Sequence, residues 1–231
     1  MPSVRFRNRS RQRKRAEPDC EPNSTASRRQ LCAWARQCNT AEICILAGGL
    51  SKRMGCDKSK LRLGATRMLD QIQKTARATG LPVRVIRRDC VPKCGPLGGI
   101  YTALKTTEAD AVLFLACDMP LVSPELIDFV LQQSRKTKIA HHNAVFVSSR
   151  GVGFPILLGK ETEQKVQQQI EKRELSLQSL AEVLDPIILR IASPWRRQLF
   201  NVNTPRDWAA ILKRVKPKHR TAHKTIASAC I

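Results

Sequence analysis

The sequence contains no long hydrophobic run. None of its apolar segments approaches the roughly 20 residues that a helix needs to cross the hydrocarbon core of a bilayer. The N-terminal segment is rich in arginine but lacks the apolar core of a secretory signal peptide. We therefore expect a soluble, cytoplasmic protein that has no membrane partner.

Cysteine pairs with metal-ligand spacing are also missing. The chain has nine cysteines, an odd number, with no CxxC pair and no Cys/His spacing typical of a zinc site. Several of them fall inside predicted strands or ligand loops, where crosslinks would distort the backbone. Free thiols in a reducing cytoplasm fit this pattern best. Cys90 and Cys94 flank a turn that contains Pro92, and a metal role for this pair is the weaker alternative.

Acidic residues are scarce, since 19 Asp and Glu stand against 41 Lys and Arg, for a formal net charge of +22. The excess is concentrated at the ends: residues 1–40 hold ten basic and three acidic residues, and residues 213–231 hold six and none. Basic tails bind nucleic-acid backbones without sequence preference. The run Arg5–Arg15 has no helical period, and we predict a disordered arm at 1–40, one catalytic domain at 41–215 and a basic tail at 216–231.

Two common nucleotide-binding fingerprints are absent. A Walker loop requires Gly-Lys-Ser/Thr in succession, whereas Cys56 and Asp57 separate Gly55 from Lys58. The G-x-G-x-x-G dinucleotide pattern does not occur either. No Ser/His/Asp triad is apparent either.

The segment from Ile43 to Lys58 instead reads as a buried strand that opens into a phosphate loop. Its apolar run breaks at Gly48 and Gly49, whose backbone amides can face an anion directly because no side chain intervenes. Arg53 and Lys58 add cationic donors suited to phosphate oxygens. The plainer alternative is a glycine turn with ordinary surface bases.

A second candidate site follows the apolar run Ala111–Ala116, which is typical of a central parallel strand buried on both faces. Asp118 lies two residues beyond its end. Ligands of open α/β sheets bind at the carboxyl ends of strands, and Mg²⁺ beside phosphates takes one or two carboxylates. We therefore predict Asp118 as a magnesium ligand. A purely capping role is weaker, because Ser123 and Pro124 already form a good helix start.

A third candidate follows the predicted strand Val83–Ile86. Asp89 comes next, and after it the glycine-rich segment 95–99, which we expect to be a loop that opens a helix at Ile100–Lys105. Taken by itself, Asp89 is a polar loop residue, whereas Gly98 and Gly99 would let the backbone approach a ligand.

Strands alternate with helices along the chain, and no internal repeat is evident. This order predicts an α/β fold of three layers, a Rossmann-like and mostly parallel sheet with a crevice at its carboxyl edge. Further predicted helices are Arg67–Ala78, Pro124–Arg135, Glu161–Glu174, Ser176–Leu184 and a last helix that begins near Pro205, with Thr204 as its N-cap. Further predicted strands are Ala144–Ser148 and Ile187–Ala192.

Four segments resemble the signatures of nucleotidyltransferases, in the same order. They are most similar to those of the molybdenum cofactor guanylyltransferases, the MobA-like enzymes, and the resemblance covers residues 42–215. The segments are Leu46-Ala-Gly-Gly-Leu-Ser-Lys-Arg-Met-Gly-Cys-Asp-Lys58, Cys94-Gly-Pro-Leu-Gly-Gly-Ile100, Ala116-Cys-Asp-Met-Pro-Leu121 and Phe200-Asn-Val-Asn-Thr-Pro205.

The resemblance implies an activity and a set of site residues. The activity is transfer of GMP from GTP to molybdenum-molybdopterin, with Mg²⁺ as cofactor and diphosphate as the second product. Arg53 and Lys58 would hold the triphosphate, Asp118 the metal, and Asn203 would lie near the metal and phosphates. The nucleotide-binding set it implies is Leu46, Ala47, Gly48, Gly49, Lys58, Asp89, Gly95, Pro96, Leu97, Gly98 and Asp118.

Partners and alternatives follow from the same comparison. A molybdenum-insertion protein would deliver the acceptor to a monomer or weak oligomer, and nucleic acid is not expected as a physiological partner. Guanine is favoured over cytosine by Leu46-Ala-Gly-Gly49, since related cytidylyltransferases look more like Leu-Ala-Ala-Gly. The alternatives are a molybdopterin cytidylyltransferase, a sugar-1-phosphate nucleotidyltransferase, and an inactive nucleotide-binding or basic nucleic-acid-binding protein.

Overall fold

The structure is a computed structural model that describes residues 40–48, 61–136, 144–148, 151–191, 193 and 195–215. Several sequence predictions therefore concern residues outside the described ranges. These are the basic arm and tail and the predicted phosphate-loop residues Gly49, Arg53 and Lys58. The proposed domain boundaries stay predictions.

A six-stranded sheet in the order β4-β1-β5-β7-β6-β8 forms the centre of the molecule. Only β7 is antiparallel to its neighbours, so the sheet is mostly parallel, as predicted. The strands are β1 (Ala41–Leu46), β2 (Arg62–Leu63), β3 (Thr66–Arg67), β4 (Val83–Ile86), β5 (Ala111–Ala116), β6 (Ala144–Ser148), β7 (Val152–Gly159) and β8 (Ile187–Arg190), with β2 and β3 forming a separate hairpin.

Helices cover both faces of the sheet. Alternate β1 side chains explain this, because Ile43 and Ile45 pack in one apolar cluster while Cys44 lies in the other. The first cluster includes α1 and α3, and the second includes α2, α4 and α5. The helices are α1 (Met68–Arg77), α2 (Gly95–Thr106), α3 (Pro124–Lys136), α4 (Glu163–Glu171), α5 (Leu177–Leu184) and α6 (Pro205–Val215). The three-layer α/β prediction is confirmed.

Most predicted boundaries agree with the structure to within a residue or two, but α2 is an exception. The helix begins at Gly95, so Gly98 and Gly99 belong to its first turns and not to a loop before it. Pro96 lies in the first turn, where its missing N–H costs no intrahelical hydrogen bond. Gly95 has φ of +56°, a left-handed conformation that glycine adopts without strain and that turns the chain into the helix.

Two further boundaries were predicted too wide. The helix expected at Glu161–Glu174 is α4, which is shorter and follows a separate 3₁₀ turn at Lys160–Thr162. Strand β8 ends at Arg190, two residues before the predicted end. None of the described helices combines the length and apolarity that a bilayer crossing requires.

Candidate active site

Strands β1, β4 and β5 end side by side at the carboxyl edge of the sheet. The Ala47 N–H donates to the carbonyl of Ile86 at 2.8 Å, and the Cys117 N–H donates to the carbonyl of Leu46 at 3.1 Å. These bonds continue the parallel ladders one residue beyond the strands. The segments that carry Gly48, Asp89 and Asp118 therefore leave the sheet at one edge, where ligands bind in open α/β folds.

The carboxylate of Asp89 lies against backbone from two glycine segments. A Cβ built on Gly48 would lie 3.3 Å from Asp89 Oδ1, and one on Gly98 would lie 2.8 Å from Asp89 Oδ2. A Cβ on Gly99 would approach Leu46 Cδ2 at 3.0 Å and Asp89 Oδ1 at 3.4 Å. Glycine at these positions lets the start of the predicted phosphate loop, Asp89 and the first turns of α2 meet in one place.

Burial changes the acidity of the Asp89 carboxyl group. Its side chain is half-buried, and this burial raises the pKa of the Asp89 carboxyl above its usual range. The first turn of α2 lies beside it, and backbone N–H groups at a helix start favour anions. A group that can donate hydrogen bonds to this carboxylate would offset its desolvation.

The residues at the start of α2 differ in exposure. Gly95 is exposed and Pro96 is half-buried, whereas Leu97 is fully buried in the cluster beneath the helix. The Leu97 side chain therefore anchors the helix against the sheet. Gly98 is buried as well, because it packs on Asp89 and on the carbonyl of Val91.

Asp118 lies on the other side of β1, two residues beyond β5, and is half-buried. Its carbonyl oxygen accepts a 2.8 Å hydrogen bond from the N–H of Val202. That bond brings Asn203, the next residue and half-buried, to the loop that carries Asp118. Two residues far apart in the sequence, both expected near the metal and phosphates, thus belong to neighbouring segments.

The segment around Asn203 is held by the start of α6. Asp207 Oδ2 accepts hydrogen bonds from the N–H of Asn203 at 3.0 Å, the N–H of Thr204 at 2.8 Å and the Thr204 hydroxyl at 2.9 Å. The Asp207 N–H in turn donates to Thr204 Oγ1 at 3.2 Å. This reciprocal arrangement is a capping box, and it confirms Thr204 as the N-cap. Val202 is fully buried with Met68 and Ile211, which fixes the segment from below.

One part of the site region was missed by sequence reasoning. Gln198 Oε1 accepts a 3.0 Å hydrogen bond from the N–H of Ser123, and Trp195 packs edge-on against Phe129 with ring centroids 4.4 Å apart. These contacts attach the 3₁₀ turn Trp195–Leu199 to the start of α3. No local pattern predicts them, since Gln198 and Ser123 are 75 residues apart in the chain.

Metal-binding capacity rests on single carboxylates. The described part of the chain contains no group of three or more His, Cys, Asp or Glu residues that could hold a metal. Mg²⁺ at a nucleotide requires fewer protein ligands, because phosphate oxygens and water complete its shell. Asp118, a hard oxygen donor at a strand end, fits that need. The thiols are less suited, since Cys90 Sγ accepts from the Thr102 hydroxyl and Cys94 Sγ donates to the carbonyl of Pro92.

A family model described as MobA-like NTP transferase domain matches residues 43–187, more than half of the chain. The chain belongs to the MobA-like NTP transferase family. A relative from Thermococcus gammatolerans, named "Probable molybdenum cofactor guanylyltransferase", is 30% identical over 193 residues, which cover 73% of this chain and 97% of the relative. The resemblance inferred from the four sequence segments is thereby confirmed.

Solved structures show the same fold. Molybdopterin-guanine dinucleotide biosynthesis protein A from Archaeoglobus fulgidus superposes with a TM-score of 0.59 at 18% identity, covering 75% of this chain and 96% of that protein. The 2-C-methyl-D-erythritol 4-phosphate cytidylyltransferase from Thermus thermophilus superposes with a TM-score of 0.55 at 13% identity, covering 76% and 98%. At these identities the likeness concerns the fold, which both structures share with this MobA-like chain.

Proposed function

We propose that this protein transfers GMP from GTP to the phosphate of molybdenum-molybdopterin, forming the guanine dinucleotide cofactor and releasing diphosphate. The observation that carries the proposal is the Asp89 carboxylate, packed against Gly48 and Gly98, with the Asp118 segment on the other side of β1, in a chain of the MobA-like family. The name of the Thermococcus gammatolerans relative supports the choice of reaction.

The nucleoside is proposed to bind over β1 and β4. Guanine presents two donors side by side, N1–H and the N2 amino group, and one carboxylate can accept from both. The half-buried Asp89 would gain these hydrogen bonds in place of lost water. The Watson–Crick edge of cytosine offers one donor beside two acceptors, which a carboxylate disfavours. Asp89 therefore supports GTP over CTP.

The triphosphate is proposed to lie along the segment after β1. Backbone amides of Gly48 and Gly49 would face its oxygens, and Arg53 and Lys58 would supply charge to the departing diphosphate. Asp118, with Asn203 close by in the neighbouring segment, would hold Mg²⁺. The chemistry that Mg²⁺ supplies when bound is neutralisation of negative charge on the triphosphate.

The reaction needs alignment more than acid–base chemistry. An oxygen of the acceptor phosphate attacks the α-phosphorus of GTP, a new P–O–P bridge forms, and the bond from the α-phosphorus to the bridging β-oxygen breaks. Its electron pair leaves with diphosphate. The acceptor phosphate is already an anion, so no side chain has to remove a proton. Alignment of the two substrates and neutralisation of their charge account for the rate acceleration, as in other phosphoryl transfers.

A product assay tests this proposal. The full chain is incubated with Mg²⁺, molybdenum-molybdopterin and either GTP or CTP, and dinucleotide products are resolved by mass spectrometry. We expect the guanine dinucleotide from GTP and little product from CTP. Parallel reactions with sugar 1-phosphates are expected to give none. Equal or better use of CTP would overturn the base assignment, and turnover of sugar 1-phosphates alone would overturn the acceptor.

A further inference from the structure

The nucleotide accounts for only one half of the carboxyl edge. Beyond β5 the sheet continues through β7 and β6 to β8, and β8 runs parallel to β6 and ends at Arg190 on the same edge. The chain then returns, by way of the turn at residues 195–199, to the loop that carries Asp118. An acceptor that attacks opposite the leaving diphosphate needs binding groups on this side.

The turn Trp195–Leu199 is a fixed platform on that side. Its first residue packs edge-on against Phe129 of α3, at 76° between ring planes. Its fourth residue, Gln198, is bonded to the N–H of Ser123, whose own hydroxyl accepts from the Leu126 N–H at 3.3 Å as the cap of α3. Three residues beyond the turn, Val202 is bonded to Asp118. Both ends of the turn are thus attached to the segment that follows β5.

Two adjacent arginines, Arg196 and Arg197, occupy the middle of this platform and are exposed. Neither guanidinium group makes an ion pair or hydrogen bond with another residue in the described ranges. Arg84 shows how this chain satisfies an arginine that serves the fold: it binds Glu42 at 2.6 Å, the Thr106 hydroxyl at 2.6 Å and the Ala103 carbonyl at 2.9 Å. Two guanidinium groups that have no partner among the described residues, on an anchored turn beside the Asp118 segment, are available to an anion.

We propose that Arg196 and Arg197 bind the phosphate of the acceptor and so form the acceptor half of the active site. The inference rests on the proposed function, because that function makes the acceptor an organic phosphomonoester. A guanidinium group matches two phosphate oxygens at once. Two of them would hold the attacking dianion close to the negatively charged triphosphate, whose repulsion otherwise opposes the approach.

Steady-state kinetics of single and double glutamine variants test the proposal. We expect R196Q and R197Q each to raise KM for molybdenum-molybdopterin about tenfold or more, as loss of a charge-assisted hydrogen bond implies, with more in the double variant. The dissociation constant for GTP, measured by calorimetry, is expected to stay within about twofold. R77Q is the matched control, since Arg77 is an exposed arginine in the last turn of α1.

Ionic strength gives a second readout. Wild-type KM for the acceptor should rise with added salt, and the double variant should show a weaker dependence, because fewer protein charges contact the anion. If the double variant does not fold, the single variants carry the test. Wild-type turnover with unchanged acceptor KM in the folded arginine variants would overturn this inference alone. Absence of GMP transfer by the wild-type protein would overturn both the inference and the proposed function.

Discussion

The N–H of Val202 donates a 2.8 Å hydrogen bond to the carbonyl oxygen of Asp118. This bond places the segment after the last strand beside the proposed metal ligand. The segment lies beyond residues 43–187, the range that the family model matches. The position of the proposed metal ligand therefore depends on the C-terminal helix as well as on β5.

Asp207 is expected to be a positioning residue for that segment. D207A removes the acceptor of three hydrogen bonds from Asn203 and Thr204, and we expect a loss of about 1 kcal/mol, or about 2–4 °C in Tm. We also expect a lower kcat and a higher Mg²⁺ requirement, with GTP affinity little changed.

The matched control is S176A, which removes the N-cap of α5, a helix that packs in the apolar cluster of α2 and α4 and not beside α6. S176A should lower the unfolding free energy by about as much as D207A does, but leave kcat and the Mg²⁺ requirement at wild-type values. If D207A behaves like S176A in every measurement, then the capping box stabilises the fold without positioning the site. D207N retains one oxygen acceptor and should recover part of the lost kcat.

Removal of the charge at Asp118 should slow the reaction strongly. We expect D118N to lower kcat about 10²- to 10³-fold, the range typical of losing one preorganised electrostatic contact, with Tm close to wild type. D110N is the control, since Asp110 is an exposed aspartate at the opposite edge of the sheet, before β5. Near-normal turnover in D118N would remove Asp118 as the metal ligand.

Gly98 should not tolerate a side chain. In G98A the new Cβ would lie 2.8 Å from Asp89 Oδ2 and 3.0 Å from the Val91 carbonyl oxygen, which is backbone and cannot rotate away. We expect a cost of about 1–3 kcal/mol in unfolding free energy and weaker GTP binding, since Asp89 must shift. G151A adds a Cβ with no atom within 4 Å and should change stability by less than about 0.5 kcal/mol. Equal behaviour of the two variants would refute the packing argument.

Asp89 should make the free protein less stable as pH rises. Burial raises its pKa in the folded state, so between the unfolded and folded pKa values the native state binds more protons. The unfolding free energy therefore falls as pH rises through that window, and the charged form is a penalty at neutral pH. We expect D89N to have the higher Tm at pH 7, with the difference shrinking towards pH ~4, near the ordinary aspartate pKa.

The same variant should bind GTP more weakly at pH 7. The Asn side chain has one acceptor oxygen and one NH₂ group, so it cannot accept from both guanine donors through two oxygens as a carboxylate can. Calorimetric unfolding across pH, with and without GTP, measures both effects. A lower Tm for D89N at pH 7 in the absence of nucleotide would contradict the burial penalty.

Strands were the easiest elements to predict from the sequence. Ala111–Ala116 has the predicted bounds, because a parallel strand buried on both faces is apolar throughout, and this run begins directly after Asp110. Val83–Ile86 also has the predicted bounds, although it is an edge strand that contains Arg84. The start of Pro124–Lys136 was predicted from Ser123, whose hydroxyl caps the helix. Local chemistry decided each of these elements.

The site depended on contacts that no local pattern contains. Gly98 was expected in a loop for ligand approach, but it is in a helix and its missing side chain also makes room for Asp89. The Gln198 bond to Ser123 and the Val202 bond to Asp118 join segments that are far apart in the sequence. Nothing in the sequence around Gln198 or Val202 indicates which residue it will contact. Motifs placed the candidate carboxylates, whereas the structure shows how they are held.

The most direct test of the central claim is a crystal structure with Mg²⁺ and a GTP analogue that resists cleavage at the α–β bridge. We predict that guanine contacts the Asp89 carboxylate beside Gly48, and that Asp118 is a ligand of the bound Mg²⁺. Nucleotide bound away from both Gly48 and Asp118 would contradict the account.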